Sequence, residues 1–232
     1  MTLPALTLAG AARLTEILLA LALMQQGLEH LRGLRDERVL FAARIVLCGL
    51  VLAGVARPWP LVAMAGLSLL ILRRFQGPYN GGSDRMGLLV LWTLAIAELA
   101  PTRPLQELAF GYLAAQLMLS YFVSGAVKVV NPDWRTGQAL ADVFRFSAYP
   151  VSEGLRAWAQ RPRVLLAMSW AVMGFELAFP LTLLWRPALI AGLVVAAAFH
   201  LANACLFGLN RFFWTWLSAY PAILWLQGRL LG

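Results

Sequence analysis

The stretch "ELAFGYLAAQLMLSYFVSGAVKV", residues 107–129, is an apolar run that is long enough to cross a lipid bilayer as one helix. Crossing takes about 20 residues, because a helix rises about 1.5 Å per residue through about 30 Å of hydrocarbon. The run nevertheless contains Lys128 next to its last residue, and this is the only lysine among the 19 Lys and Arg residues of the chain. Two questions follow: which fold such apolar helices form, and what role the side-chain amine of Lys128 has in it.

Similar runs recur along the whole chain of 232 residues, which is 61% hydrophobic and only 13% charged. Average soluble domains are about 25% charged. The composition therefore predicts an all-α fold, a polytopic transmembrane helical bundle. No internal repeat is visible, so we expect one domain over residues 1–232. The apolar segments predict about eight spans, at 11–29, 38–56, 59–75, 84–100, 107–129, 163–185, 187–208 and 212–230.

The segments between the spans show two patterns. Arg-Pro pairs recur at the start of new apolar runs, and proline is favoured in the first turn of a helix, so each pair predicts a helix start. The long segment 130–162 contains a short helical pattern in which Leu155 and Trp158 face away from Arg156. That pattern predicts an interfacial helical insert between spans five and six, either as a cap over a cavity or as a simple connector. The Arg-Pro pairs lie at 57–58, 103–104, 161–162 and 186–187.

The net charge of +8 indicates a membrane surface as the partner, not nucleic acid, because the arginines cluster between apolar runs. Loops after odd-numbered spans hold twelve arginines, while the other loops and the termini hold five. This bias predicts that the odd loops are cytoplasmic. Cys48 and Cys205 both lie inside apolar runs, and no Cys/His spacing suggests zinc, so we expect no metal site.

Span five carries polar residues at steps of four, which form one slowly drifting stripe on a helix. A stripe that ends in an ammonium must face other helices or a watery cavity, because lipid does not solvate it. Serine and glutamine also join helices by hydrogen bonds, so a packing role is the alternative. The stripe consists of Tyr112, Gln116, Ser120, Ser124 and Lys128.

Ionisable side chains inside spans are costly and are therefore candidates for function. Glu176 lies near the middle of its predicted span, where a carboxylate is most costly. His200 and Asn203 are three residues apart on one face of the next helix. Because only a short turn joins the two helices, we expect Glu176 and His200 to meet. The alternative for His200 is a hydrogen-bonding spacer without a catalytic role.

Other intramembrane charges have simpler explanations. Arg13 and Glu16 are three residues apart on one helix and are expected to pair with each other. Arg44 and Glu98 lie close enough to the ends of their spans that we expect partial solvation of both.

The loop "FQGPYNGGSDRM", residues 75–86, is the second dense cluster of polar residues. Its glycines predict a tight turn with a positive φ at Gly81 or Gly82, followed by a helix whose N-terminus exposes N–H groups. Such a turn can bind an anion or a carbonyl, which makes Asn80, Gly81, Gly82, Asp84 and Arg85 candidates for substrate binding. An ordinary helical hairpin is the alternative.

The stretch "YFVSGAVKVVNPDWRTGQAL", residues 121–140, resembles the signature of the HTTM domain, the membrane module shared with vitamin K-dependent γ-glutamyl carboxylase. "YNGGSDRM" lies where that family has an Asn-rich turn, although this chain has Ser83-Asp84 where the carboxylase has a histidine, and His200 resembles the histidine of a late HTTM helix. The residues that match the signature are Tyr121, Phe122, Gly125, Lys128, Trp134 and Gly137.

The resemblance implies that Lys128 is a base acting on a quinol-like or peptide substrate, with Glu176 and His200 as its catalytic partners. Ser124, Trp134 and Asn203 join the glycine turn as substrate-binding candidates. A quinone or quinol is the cofactor that the resemblance implies, and membrane lipids, a small peptide or a membrane redox partner are the expected partners. The alternative is a non-catalytic membrane subunit that supports maturation, export or immunity of a small secreted peptide. Compact proteins of this type are bacterial, so the plasma membrane is the expected location.

Overall fold

The computed structural model describes residues 6–32, 35–74, 81–147 and 153–231, and every regular element in them is helical. The predicted all-α fold is confirmed. We number the α-helices in chain order as α1 (Leu8–His30), α2 (Arg35–Ala53), α3 (Trp59–Arg74), α4 (Gly81–Leu99), α5 (Arg103–Val130), α6 (Pro132–Thr136), α7 (Gln138–Phe146), α8 (Pro162–Ala178), α9 (Arg186–Phe207) and α10 (Asn210–Leu231). Two 3₁₀ segments accompany them, at Glu153–Gln160 and Phe179–Leu184.

Seven of the predicted spans each overlap one α-helix, with ends that differ by a few residues, and the sixth, 163–185, is divided between α8 and the 3₁₀ segment Phe179–Leu184. Four of these segments within the described residues are long and apolar enough to cross a membrane, and they indicate an integral membrane protein. The other four long helices do not meet that criterion, and α3 is a shorter apolar helix. The number of eight spans therefore remains a prediction. The four segments are Leu8–His30, Arg103–Val130, Pro162–Leu184 and Arg186–Phe207.

The Arg-Pro pairs stand where the sequence predicts helix starts. The helix α5 begins at Arg103, α8 at Pro162 and α9 at Arg186. Proline suits these positions because its fixed φ is helical and the N–H that it lacks has no partner in the first turn. Gly208, with φ 68°, ends α9 in the left-handed conformation that glycine adopts without strain.

Residues 1–115 and 214–232 form a first compact unit. In it α1 packs on α2, α2 on α3 and α3 on α4, and α4 returns to α1, which closes a four-helix arrangement. The part of α10 in this unit packs on the beginning of α5, where the Phe110 and Trp225 rings lie 5.5 Å apart. The side chains of Leu19, Leu61 and Leu91 are fully buried in this unit.

Residues 116–213 form the second compact unit. The predicted insert contains α6, α7 and the first 3₁₀ segment, which pack against α8. Their shared core includes Leu140, Phe144, Leu165 and Phe207. The helical insert is thus present between α5 and α8, and its position at the membrane interface remains a prediction.

Candidate functional site

An ion pair between the half-buried Lys128 and the buried Glu176 joins α5 to α8 in the second unit. Lys128 Nζ lies 2.6 Å from Glu176 Oε1 and 2.6 Å from Oε2, so the ammonium contacts both carboxylate oxygens. Glu176 is 3% exposed. The structure therefore places two of the three predicted catalytic residues together, with the amine directed at an acidic partner within the unit.

Gly125 lets the two helices approach closely enough for that contact. A Cβ atom at this position would lie 2.9 Å from Leu177 N, a distance that real Cβ atoms essentially never show, and 3.0 Å from Glu176 Cβ, which is also unusually short. Only glycine lacks the atom that would clash. Gly125 stands three residues before Lys128, almost one helical turn away, so it sets the distance at which the amine meets the carboxylate.

Ser124 and Trp134 complete the surroundings of the Lys128 ammonium. The ammonium donates to Ser124 Oγ at 2.6 Å, and Ser124 Oγ itself donates to Glu176 Oε1 at 3.2 Å. The Trp134 ring lies 5.1 Å from Nζ, within range of a cation–π contact. An ammonium has three N–H donors, so contacts to Ser124 and to the two carboxylate oxygens use its capacity fully.

The short helix α6 fixes the position of Trp134. Asn131 accepts a hydrogen bond from Asp133 N at 2.9 Å and begins α6, and Gly137, with φ 80°, ends it. A Cβ atom on Gly137 would lie 2.9 Å from Leu166 N, so this turn lies directly against α8. Ser169 Oγ also donates to the Trp134 carbonyl oxygen. The predicted substrate-binding residue Trp134 is thus held over Lys128 by backbone geometry.

His200 contacts Tyr121, which was not among the predicted site residues. The Tyr121 hydroxyl lies 3.0 Å from His200 Nε2, and Tyr121 is 2% exposed. Its ring packs on Phe175 of α8, with centroids 6.1 Å apart, and on Phe179 of the following 3₁₀ segment at 4.2 Å, so its two ring partners lie on either side of Glu176 in sequence. The spacing in the sequence could have identified Tyr121 as a site residue, because positions 121, 124 and 128 share one face of a helix.

The predicted polar stripe holds only at its C-terminal end. Ser124 and Lys128 both contact Glu176, whereas Tyr112 is 51% exposed. Each step of four residues turns about 40° beyond a full helical turn, so four such steps rotate the stripe by about 160°. A stripe with that spacing therefore passes from an outer face to an inner one.

The glycine turn belongs to the first unit. Asn80 lies outside the described residues, and Gly81 and Gly82 form the first turn of α4, so the predicted positive φ at one of them is wrong. Asp84 accepts a hydrogen bond from Gln26 Nε2 at 3.1 Å, and Arg85 is exposed. A helix that starts at Gly81 needs no left-handed residue there.

Asn203 lies one turn after His200 on α9 and is half-buried. Its backbone carbonyl accepts hydrogen bonds from Gly208 N and from Leu209 N, which close the end of the helix. These contacts assign its backbone to the helix end, and its predicted role in binding substrate stays a prediction.

Intramembrane charges in the first unit also form close contacts. The expected pairing of Arg13 with Glu16 is confirmed at 2.9 Å. The expected partial solvation of Arg44 is wrong, since this residue is 2% exposed and donates to Gln26 Oε1 at 2.5 Å and to Ser68 Oγ at 3.0 Å. Within the described residues, no three His, Cys, Asp or Glu side chains are grouped to hold a metal ion.

Comparison with known proteins now adds the family. The model of the HTTM domain matches residues 102–226, which is more than half of the chain. The match includes Lys128, Trp134, Glu176 and His200 and does not include the glycine turn. No curated protein and no solved structure matches the chain. With its family signature matched over this length, the chain belongs to the HTTM domain family.

Proposed function

We propose that this integral membrane protein is an enzyme in which Lys128 removes a proton from a hydroxyl group of a quinol-like substrate. The observation that carries the proposal is the contact of Lys128 Nζ with both oxygens of the buried Glu176. A buried charge pair in a membrane protein is costly and usually serves a function. The resemblance to the carboxylase supports the choice of Lys128 as the base and of a quinol as the substrate.

A lysine paired with a carboxylate has a direct route to a neutral amine. Transfer of one proton from the half-buried Lys128 Nζ to the buried Glu176 converts two charges into an amine and a carboxylic acid, and low polarity favours neutral groups. The amine then accepts the proton of the substrate hydroxyl. The products are an ammonium, a protonated Glu176 and the substrate oxyanion, so the proton count balances and the oxyanion has a cation beside it.

Ser124 and Trp134 are positioning residues in this proposal. Ser124 bonds to Lys128 and to Glu176, so it keeps the amine beside the carboxylate after the proton has moved. The Trp134 ring covers one side of the ammonium and favours its charged form once the substrate proton has arrived. His200 orients the Tyr121 hydroxyl from the next helix.

The test uses protein in lipid nanodiscs, a reduced short-chain naphthoquinone and anaerobic absorption spectra that distinguish quinol from quinolate. We expect the wild-type protein to form bound quinolate, and Lys128→Ala and Lys128→Arg both to fail, because a guanidinium does not give up a proton. Arg57→Lys, a charge-conserving change outside the site, is the matched control and should behave as wild type.

Two outcomes would overturn the proposal. If Lys128→Arg forms quinolate as well as the wild type does, Lys128 supplies only a positive charge and is not the base. If neither protein binds the quinol, the non-catalytic role in peptide maturation, export or immunity replaces the enzyme.

A further inference from the structure

Seven charged side chains in the first unit form two groups, and the members of each group are connected by ion pairs. Glu16 accepts from Arg13 and from Arg57, and Arg57 also contacts Glu98. In the second group Glu107 accepts from Arg103 Nε at 3.0 Å and from Arg229 Nε at 3.2 Å. Together the two groups contain four arginines and three glutamates, so positive and negative charges nearly balance.

A cleft between α1, α4 and the start of α5 reaches both groups. Its volume is about 180 Å³. One part of its wall is polar and contains Glu98, Arg103 and Gln106. The other part is apolar and consists of Leu8, Ala9, Ala12, Leu94 and Ala97.

The cleft has the composition of a site for a small amphipathic group. Drug-sized ligands occupy pockets of about 300–1,000 Å³, while one water takes about 30 Å³, so this cleft suits a group of headgroup size. A carboxylate and a guanidinium on one wall match a group that carries a cation and an anion together. The apolar wall favours a ligand that continues into hydrocarbon.

We propose that this cleft binds the headgroup of a phosphatidylethanolamine lipid. The lipid ammonium donates hydrogen bonds to Glu98, and the lipid phosphate accepts them from Arg103. The α4–α5 turn lies between these two residues at a helix end, which is where lipid headgroups meet membrane helices. The site lies outside the Lys128 group and does not depend on the proposed enzyme activity.

The existing contacts of the two side chains leave capacity for a lipid. Arg57 contacts Glu98 at Oε1, and a carboxylate has about four acceptor sites on its two oxygens. Arg103 contacts Glu107 through Nε, one of the five N–H donors of a guanidinium. Phosphate geometry suits such a planar fork of donors.

Choline is the discriminating comparison, because phosphatidylcholine carries the same phosphate but a quaternary ammonium without any N–H donor. Native mass spectrometry of the detergent-solubilised protein, titrated with dioleoyl phosphatidylethanolamine, phosphatidylcholine or phosphatidylglycerol, measures the preference. One charge-assisted hydrogen bond predicts that phosphatidylethanolamine binds about tenfold more tightly than phosphatidylcholine. Glu98→Gln should remove this preference, and Glu153→Gln, an exposed glutamate of the second unit, should keep it.

A second variant protects the test against loss of folding. Ala12→Phe fills the apolar part of the cleft without changing a charge and should weaken binding of phosphatidylethanolamine. Ala115→Phe, at an exposed alanine of α5, should leave this binding unchanged. Equal binding of the ethanolamine and choline lipids by the wild-type protein would overturn the proposal. So would tight binding of soluble glycerophosphoethanolamine, because the apolar wall would then have no part in recognition.

Discussion

Two buried carboxylates, one in each unit, hold their charges in different ways. Glu16 in the first unit is 1% exposed and is bound by two guanidinium groups, with Arg13 at 2.9 Å and Arg57 at 2.5 Å. Glu176 in the second unit is 3% exposed and is bound by one ammonium, with Lys128 at 2.6 Å. Burial and distance are alike, and the chemistry of the cation is the difference.

The difference decides where a proton can move. A guanidinium stays protonated in proteins, so the pairs made by Glu16 are fixed charges with a structural role. Arg13 also donates to the Val51 and Leu52 carbonyl oxygens at 2.7 and 2.6 Å, which joins α1 to the end of α2. An ammonium can pass its proton to the carboxylate that it touches. In the proposed mechanism, the single lysine of the chain therefore lies at the one contact where an arginine would prevent proton transfer.

The largest expected effect is the difference in quinolate formation between two matched variants, Glu176→Gln and Glu16→Gln. Glu176→Gln should reduce quinolate formation by about 100-fold or more, because the amide takes no proton from Lys128 and general-base steps contribute about 10²–10⁴-fold. Glu16→Gln removes a carboxylate of equal burial and should leave the quinolate formed per folded molecule unchanged. Spectra normalised to the folded protein measure both effects.

Equal losses in the two variants would break this comparison, because proton transfer would then not be confined to the lysine-bound carboxylate. A loss in Glu16→Gln that follows the amount of folded protein would leave the comparison intact.

The free energy of unfolding offers a second test of whether the Lys128–Glu176 pair differs from the pairs made by Glu16, with a smaller expected effect. Lys128→Met leaves a buried carboxylate without its cation and should lower the free energy of unfolding by about 3–5 kcal/mol. The double variant Lys128→Met with Glu176→Leu replaces the pair by apolar groups and should recover most of that loss, while quinolate formation stays absent. Chemical unfolding in detergent, followed by tryptophan fluorescence, gives the three free energies.

Recovery of stability without recovery of activity would show that the pair is kept for chemistry. A double variant that is as unstable as Lys128→Met would assign the pair a structural role, similar to that of Glu16 with its two arginines.

The sequence predicts most of the helices, because long apolar runs and Arg-Pro pairs are local signals. The starts of α5, α8 and α9 agree with it for this reason. The helices α6 and α7 were not foreseen individually, since short helices in a connecting segment depend on packing against α8. The positive φ expected at Gly81 or Gly82 also failed, because a glycine pair permits a left-handed turn without requiring one.

The site was predictable where it lies on one helix and less so where helices meet. Ser124 and Lys128 share a face of α5, so their spacing identified them. The contact of His200 with Tyr121 depends on how α5 and α9 pack, so the spacing along one helix did not predict it. The burial of Arg44 also depends on neighbours, since Gln26 and Ser68 come from two other helices.

The smallest expected effect concerns the second buried polar contact of the Lys128 unit, between Tyr121 and His200. Tyr121→Phe removes one hydroxyl and keeps the ring that packs on Phe179, so the free energy of unfolding should fall by only about 1 kcal/mol. Quinolate formation should fall far less than in Lys128→Arg, because Tyr121 does not take the proton in the proposed mechanism. Tyr112→Phe, on the exposed part of the same helix, is the control and should change neither quantity. A loss of quinolate formation as complete as that in Lys128→Arg would assign the proton transfer to the contact between Tyr121 and His200. The difference between a lysine-bound and an arginine-bound carboxylate would then not explain the chemistry.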